Sequence, residues 1–88
     1  MMEYPKIRNV KVLDDYFLEV TFENNITKSY DCKPLLLITV FERLKNYSIF
    51  RLAEKNNSPY GVIWDDDLDL AESEIWINGV EIEGERAG

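Results

Sequence analysis

Apolar and polar residues alternate most clearly at Leu18, Val20 and Phe22 against Glu19, Thr21 and Glu23. Period-two alternation predicts a strand with one buried face. Val10 and Val12 alternate with Asn9 and Lys11 and predict an earlier strand, with Asp14-Asp15 as the turn between the two. A third strand is expected from Ile26 to Tyr30. Asn24-Asn25 precedes it, and Asn tolerates the left-handed backbone that tight hairpins need. A two-residue loop would set Phe22 against Thr27 and split the apolar face. A three-residue loop, Glu23-Asn24-Asn25, sets Phe22 against Ile26 and Leu18 against Tyr30, so apolar meets apolar.

Beyond this hairpin the pattern turns helical in short pieces. Pro34 suits the first turn of a helix, with Asp31 or Cys32 before it. Thr39 and Glu42 have capping-box spacing, and Phe41 and Leu44 share a helical face. Asn46 is expected to end that helix, and Ser48 to cap a further turn through Ile49, Phe50 and Leu52. Ala53 to Lys55 reads as a fourth strand, Asn56-Asn57-Ser58-Pro59 as a turn, and Val62-Ile63-Trp64 as a fifth strand. Asp69 and Glu72 repeat the capping spacing and predict a helix from Leu70 to Ile77, closed by Asn78-Gly79. These elements define an α+β fold: a mainly antiparallel sheet of about five strands with two or three short helices on one face. Residues 1–79 form one domain, and 80–88 a charged tail that is either a loose terminal strand or frayed.

Composition narrows the function. The chain has 88 residues and a net charge of −7, from 10 Lys and Arg against 17 Asp and Glu. Nucleic-acid affinity rests on cations that neutralise phosphates, so direct nucleic-acid binding is not expected, nor is an anionic membrane surface. A basic protein partner fits the charge. Histidine is absent, which removes the commonest metal ligand and general base. Cys32 is the single cysteine; it forms no intrachain disulfide and reads as a small buried apolar residue. The N-terminus lacks an apolar signal core, and the longest apolar run, Leu35 to Ile38, is far too short to span a bilayer. A cytoplasmic protein is expected.

The one constellation that invites chemistry is Trp64-Asp65-Asp66-Asp67-Leu68-Asp69-Leu70. Asp65, Asp67 and Asp69 have the spacing of the first three ligands of an EF-hand loop. The glycine of that loop is replaced by Leu70 and its last glutamate by Trp76, so no calcium site of that type is expected. One reading is a turn leading into a helix capped by Asp69, the other aspartates facing its positive end. The other is an acidic patch beside an aromatic, with Trp64, Asp65, Asp66, Asp67 and Asp69 contacting Lys and Arg of a partner. Catalysis is not expected, because no nucleophile–base pair is visible. No cofactor is implied. A second function class is a small-molecule or metal-ion sensor, with a pocket lined by Tyr60, Trp64 and Trp76 or a metal at the aspartates. Phe41, Phe50, Tyr60 and Trp76 otherwise read as core.

The segments Pro5-Lys6-Ile7, Val10 to Tyr16, Leu18 to Phe22, Tyr30 to Leu36 and Tyr60 to Ala71, in this order, resemble the bacterial family called domain of unknown function 2442. That family often has Asn-Gly where this chain has Asn24-Asn25. The resemblance implies a non-enzymatic protein encoded beside a second small protein, in the manner of a toxin–antitoxin pair. This chain would be the antitoxin, a binding module that neutralises a small basic toxin. Some relatives carry a C-terminal helix-turn-helix domain that this chain is too short to hold, so direct DNA binding is not implied. The resemblance supplies no site residues. A homodimer is compatible with either function class.

Overall fold

The computed structural model describes residues 4–55, 61–65 and 68–82. Among them, seven strands form two antiparallel sheets. β1 (Ile7–Leu13), β2 (Phe17–Phe22), β3 (Thr27–Asp31) and β7 (Val80–Glu81) lie in the order β1-β2-β3-β7. β4 (Glu54–Lys55), β5 (Gly61–Asp65) and β6 (Leu68–Ala71) make the second sheet. The fold is α+β, with its strands divided between two sheets that meet where β4 approaches β1.

The first sheet follows the expected register. Leu18 pairs with Tyr30 and Thr21 with Thr27. The Phe22 amide donates to the Ile26 carbonyl at 2.9 Å, and the Asn25 amide to the Phe22 carbonyl at 2.9 Å. Asn25 takes a φ of 71°. This is the three-residue hairpin, with asparagine in the left-handed position that a β-branched residue would resist. Leu18, Val20 and Phe22 are fully buried on one face of β2, and Val10 and Val12 pack beside them from β1. The run from Val80 joins this sheet as β7, with Ser29 opposite Val80 and Lys28 opposite Glu81.

The helical connection from β3 to β4 is tighter than the capping patterns imply. Lys33–Leu37 and Thr39–Lys45 are both 3-10 helices. Asp31 accepts from the Lys33 amide at 2.9 Å, and Pro34 lies in the first turn. Thr39 caps nothing; Ile38 precedes the second segment, which ends before Asn46. Asn46, and not Ser48, caps α1 (Tyr47–Phe50) by accepting the Ser48 amide at 3.0 Å. Asn accepts from two residues on more readily than a hydroxyl does, which explains the exchange.

The largest departure falls at 68–71. The helix expected from Leu70 begins at Glu72 instead, and α2 spans Glu72–Asn78. Leu68-Asp69-Leu70-Ala71 is a strand with Leu68 and Leu70 buried and Asp69 and Ala71 exposed. Pairing Leu70 with Val62 buries two leucines, and that outweighs a local capping signal. Asp69 is therefore a strand residue and caps no helix. Glu72 and Glu74 occupy the first turn of α2, where carboxylates favour the helix dipole. Asn78 ends the helix as expected, with the Gly79 amide donating to the Ile75 carbonyl at 2.8 Å.

One core joins both sheets and the helical segments. Ile7, Leu18, Val20, Phe22 and Tyr30 meet Val62, Trp64, Leu68 and Leu70, with Leu35, Leu44, Phe50 and Ile75 packed between. Cys32 is fully buried in it, as a small apolar residue would be.

Candidate functional site

Strand alternation divides the aspartate-rich segment between two faces. On β5, Val62 and Trp64 turn inward while Ile63 and Asp65 turn outward. Trp64 is 8% exposed; its indole N–H donates to the Phe50 carbonyl at 3.0 Å, and its ring packs against Phe41 and Phe50. The sequence reading placed Trp64 beside the aspartates on the surface. The structure puts it on the opposite face, where it supports the sheet from within. Asp66 and Asp67 lie outside the described residues.

The outward face carries an acidic set that the aspartate run only partly reveals. Ile63 pairs with Asp69 on one side and with Glu54 on the other, and directly paired residues share a face. Glu54 and Asp69 are exposed and Ile63 is half-buried between them. Asp65, also exposed, follows a register shift after Ile63 and pairs with the buried Leu68, so it stands at the end of this face beyond the irregularity. The result is a half-buried Ile63 flanked by Glu54 and Asp69, with the exposed Asp65 further along β5. Glu54 and Ile63 escaped the sequence reading, although pairing the fourth and fifth strands would have brought them together.

Asp65 also has an intramolecular partner. Arg43, on the second 3-10 helix, places Nη2 2.9 Å from Oδ2 and 3.0 Å from Oδ1. Both side chains are about half exposed, so the pair contributes at most about 1 kcal/mol and an incoming cation can compete for it. Next to Arg43 runs an apolar ledge. Leu37 is 86% exposed, Ile38 48% and Val40 66%. A hollow of about 550 Å³ is lined by Thr39, Val40, Glu42 and Arg43, and a smaller one of about 160 Å³ by Leu36 to Thr39 with Glu42 and Lys45. The run Leu35 to Ile38 is the sequence signal for this ledge, read there only against membrane insertion.

The titratable groups of the interior are held neutral. Burial, reinforced by the Asp31 charge, pushes the Cys32 thiol up to about 12. Burial and the bond to Glu74 push the Tyr30 phenol up as well. No buried charged side chain occurs among the described residues. Of the aromatics proposed for a ligand pocket, Trp64 is in the core, Trp76 packs edge-on against Phe22 at 5.2 Å under the Lys28 ammonium, and Tyr60 lies outside the described residues. No group of three or more metal-ligating side chains gathers among the described residues, and none of their helices is long and apolar enough to cross a membrane.

The molecule is thus a small two-sheet α+β domain with an apolar interior and an acidic sheet face. It belongs to the family described as protein of unknown function (DUF2442), whose model matches residues 7–81, from the start of β1 to the end of β7. No curated protein and no solved structure matches the chain.

Proposed function

We propose that this domain is a non-catalytic, cytoplasmic protein-binding module, the antitoxin of a bacterial toxin–antitoxin pair, and that it neutralises a small basic toxin. The observation that carries the reading is the outward face of the second sheet, where Glu54 and Asp69 flank Ile63 and the exposed Asp65 lies further along β5. A partner's aliphatic or aromatic side chain sits on Ile63 while its Lys or Arg groups meet the three carboxylates. A central apolar contact inside a charged rim is the usual anatomy of a specific interface. The net charge of −7 steers a basic partner towards it. A toxin directed at RNA needs positive charge to hold its substrate, and a domain that covers that charge blocks it. The neutral, buried state of Cys32 and Tyr30 supports binding over catalysis, since neither is available as a nucleophile.

The test has two stages. The tagged chain is used to capture its partner from the native host at low and moderate salt, and the partner is identified by mass spectrometry. Binding is then measured for the triple variant E54Q/D65N/D69N. A small basic protein, held less tightly as salt rises, is the expected partner, and the variant weakens it by about tenfold or more. Affinity unchanged to within about twofold removes the acidic face from the contact. A captured partner whose toxicity the chain does not relieve removes the antitoxin role.

A further inference from the structure

We propose that the ledge formed by Leu37, Ile38 and Val40 is a self-association surface, on which a second copy of this chain docks about a two-fold axis. This surface adjoins the acidic sheet at the Arg43–Asp65 pair but is built on other residues, and the inference stands whether or not the acidic face binds a toxin.

The ledge sits on the turn between the two 3-10 helices. Its apolar side chains project: Leu37 is 86% exposed and Val40 66%. A clustered exposed apolar group of this kind marks a contact surface more often than chance. Beside these projections lie the two hollows, about 550 and 160 Å³, which share Thr39 and Glu42 in their walls. Projection and hollow therefore occur on one patch. An isologous interface demands this, because each patch meets its own copy and must supply both shapes.

The charges point the same way. The rim of the smaller hollow carries Glu42 and Lys45, one residue of each sign, three apart on one 3-10 helix and so on the same side of it. Across a two-fold axis Glu42 of one copy meets Lys45 of the other, twice. A strongly basic partner finds no such match here, since the ledge's own charges are one acid and the two bases Arg43 and Lys45. It finds a better match on the face with Glu54, Asp65 and Asp69. A second copy is the occupant that the mixed rim fits.

The two assemblies differ in their response to salt. Two copies of charge −7 repel at long range, so screening strengthens the dimer. A complex with a basic protein weakens under the same change. Sedimentation velocity of the full chain at about 50 mM and about 500 mM NaCl reads the sign directly. The expected result is a monomer–dimer equilibrium whose dissociation constant falls as salt rises. Leu37→Asp raises that constant by about tenfold or more with unchanged circular dichroism and Tm, because Leu37 is 86% exposed and lies outside the core cluster. Glu42→Lys and Lys45→Glu each weaken the dimer, and the double variant E42K/K45E restores it. A chain that stays monomeric at about 100 μM in both salts overturns the inference. So does a dimer that Leu37→Asp leaves intact, or a Leu37→Asp variant that loses a basic partner while its self-association is unaltered.

Discussion

The indole N–H of Trp64 donates to the Phe50 carbonyl at 3.0 Å, a bond between buried residues that ties the second sheet to the single turn of α1. A four-residue helix has no stability of its own, so it persists through such tertiary anchors. The Phe50 carbonyl also accepts the Ala53 amide at 3.2 Å, so losing the indole leaves it one donor. Trp64→Phe is therefore expected to cost about 1–2 kcal/mol, from one buried hydrogen bond and some lost volume. Urea unfolding measures the cost. Partner affinity should stay within about twofold, because Trp64 lies behind the acidic face and not on it.

A second anchor holds α2. The Tyr30 hydroxyl donates to Glu74 Oε2 at 2.8 Å, and Asn78 Nδ2 donates to the same oxygen at 2.9 Å. One carboxylate thus links β3 to both ends of a short helix. Tyr30→Phe keeps the ring in the core and removes only the hydroxyl. The expected loss is about 1.5–3 kcal/mol, the range for a bond to a charged acceptor. Hydrogen exchange locates it: amides of α2 should lose more protection than those of β2. Equal loss throughout the domain would mean that Tyr30 serves the core and not the helix.

The buried thiol gives the stability a pH signature. Burial, then the Asp31 charge, raises Cys32 from its ordinary 9.0 to about 12. In the unfolded chain the thiol releases its proton near the ordinary value, whereas the folded chain keeps it. Between these limits the folded state holds more protons, so stability falls as pH rises. The contribution is complete below about pH 9 and declines by up to about 1.4 kcal/mol for each unit above it. Tyr30, also raised by burial, acts in the same direction at higher pH. Urea midpoints from pH 7 to 11 should show the decline, and Cys32→Ala should flatten its first part. A slope unchanged in that variant would assign the decline to other groups.

The first sheet was legible because its signal is local. Alternation fixes which side of β2 is buried, and matching apolar residues across a short loop fixes the hairpin register, so Leu18 and Tyr30 were paired correctly. Residues 68–71 misled for a physical reason. Asp69 and Glu72 have the spacing of a helix start, yet Leu68 and Leu70 alternate as a strand, and a neighbouring β5 decides between them. The acidic segment was legible as chemistry but not as geometry. Trp64 and Asp65 are adjacent in sequence and on opposite faces in space. Glu54 is fifteen positions before Asp69 and shares its face only because both pair with Ile63. The ledge at Leu37 was visible as an apolar run, but only the fold shows that it stays outside.

The turn between β1 and β2 contains two successive left-handed residues, Asp15 at φ 64° and Tyr16 at φ 63°. Neither is glycine, so each stores strain, and their side chains explain why only one of them is needed there. Tyr16 donates its hydroxyl to the Lys45 carbonyl, and its ring packs at 5.6 Å from Tyr47 and 5.0 Å from Phe50. The strained backbone thereby aims a ring that fastens the hairpin to the helical segment. Asp15 offers only an exposed contact, 3.2 Å from Lys33, which also meets Asp31 at 3.2 Å. Glycine at the two positions should have opposite effects. Asp15→Gly relieves left-handed strain, gives back part of the gain as unfolded-chain entropy, and is expected to stabilise by about 0.5 kcal/mol. Tyr16→Gly relieves the same strain but loses the ring and its hydroxyl bond, and is expected to destabilise by about 3 kcal/mol. Urea titrations at pH 7 on the two variants test the pair together. If both destabilise, the Lys33 contact matters more than its exposure suggests; if Tyr16→Gly is neutral, the ring does not fasten the turn.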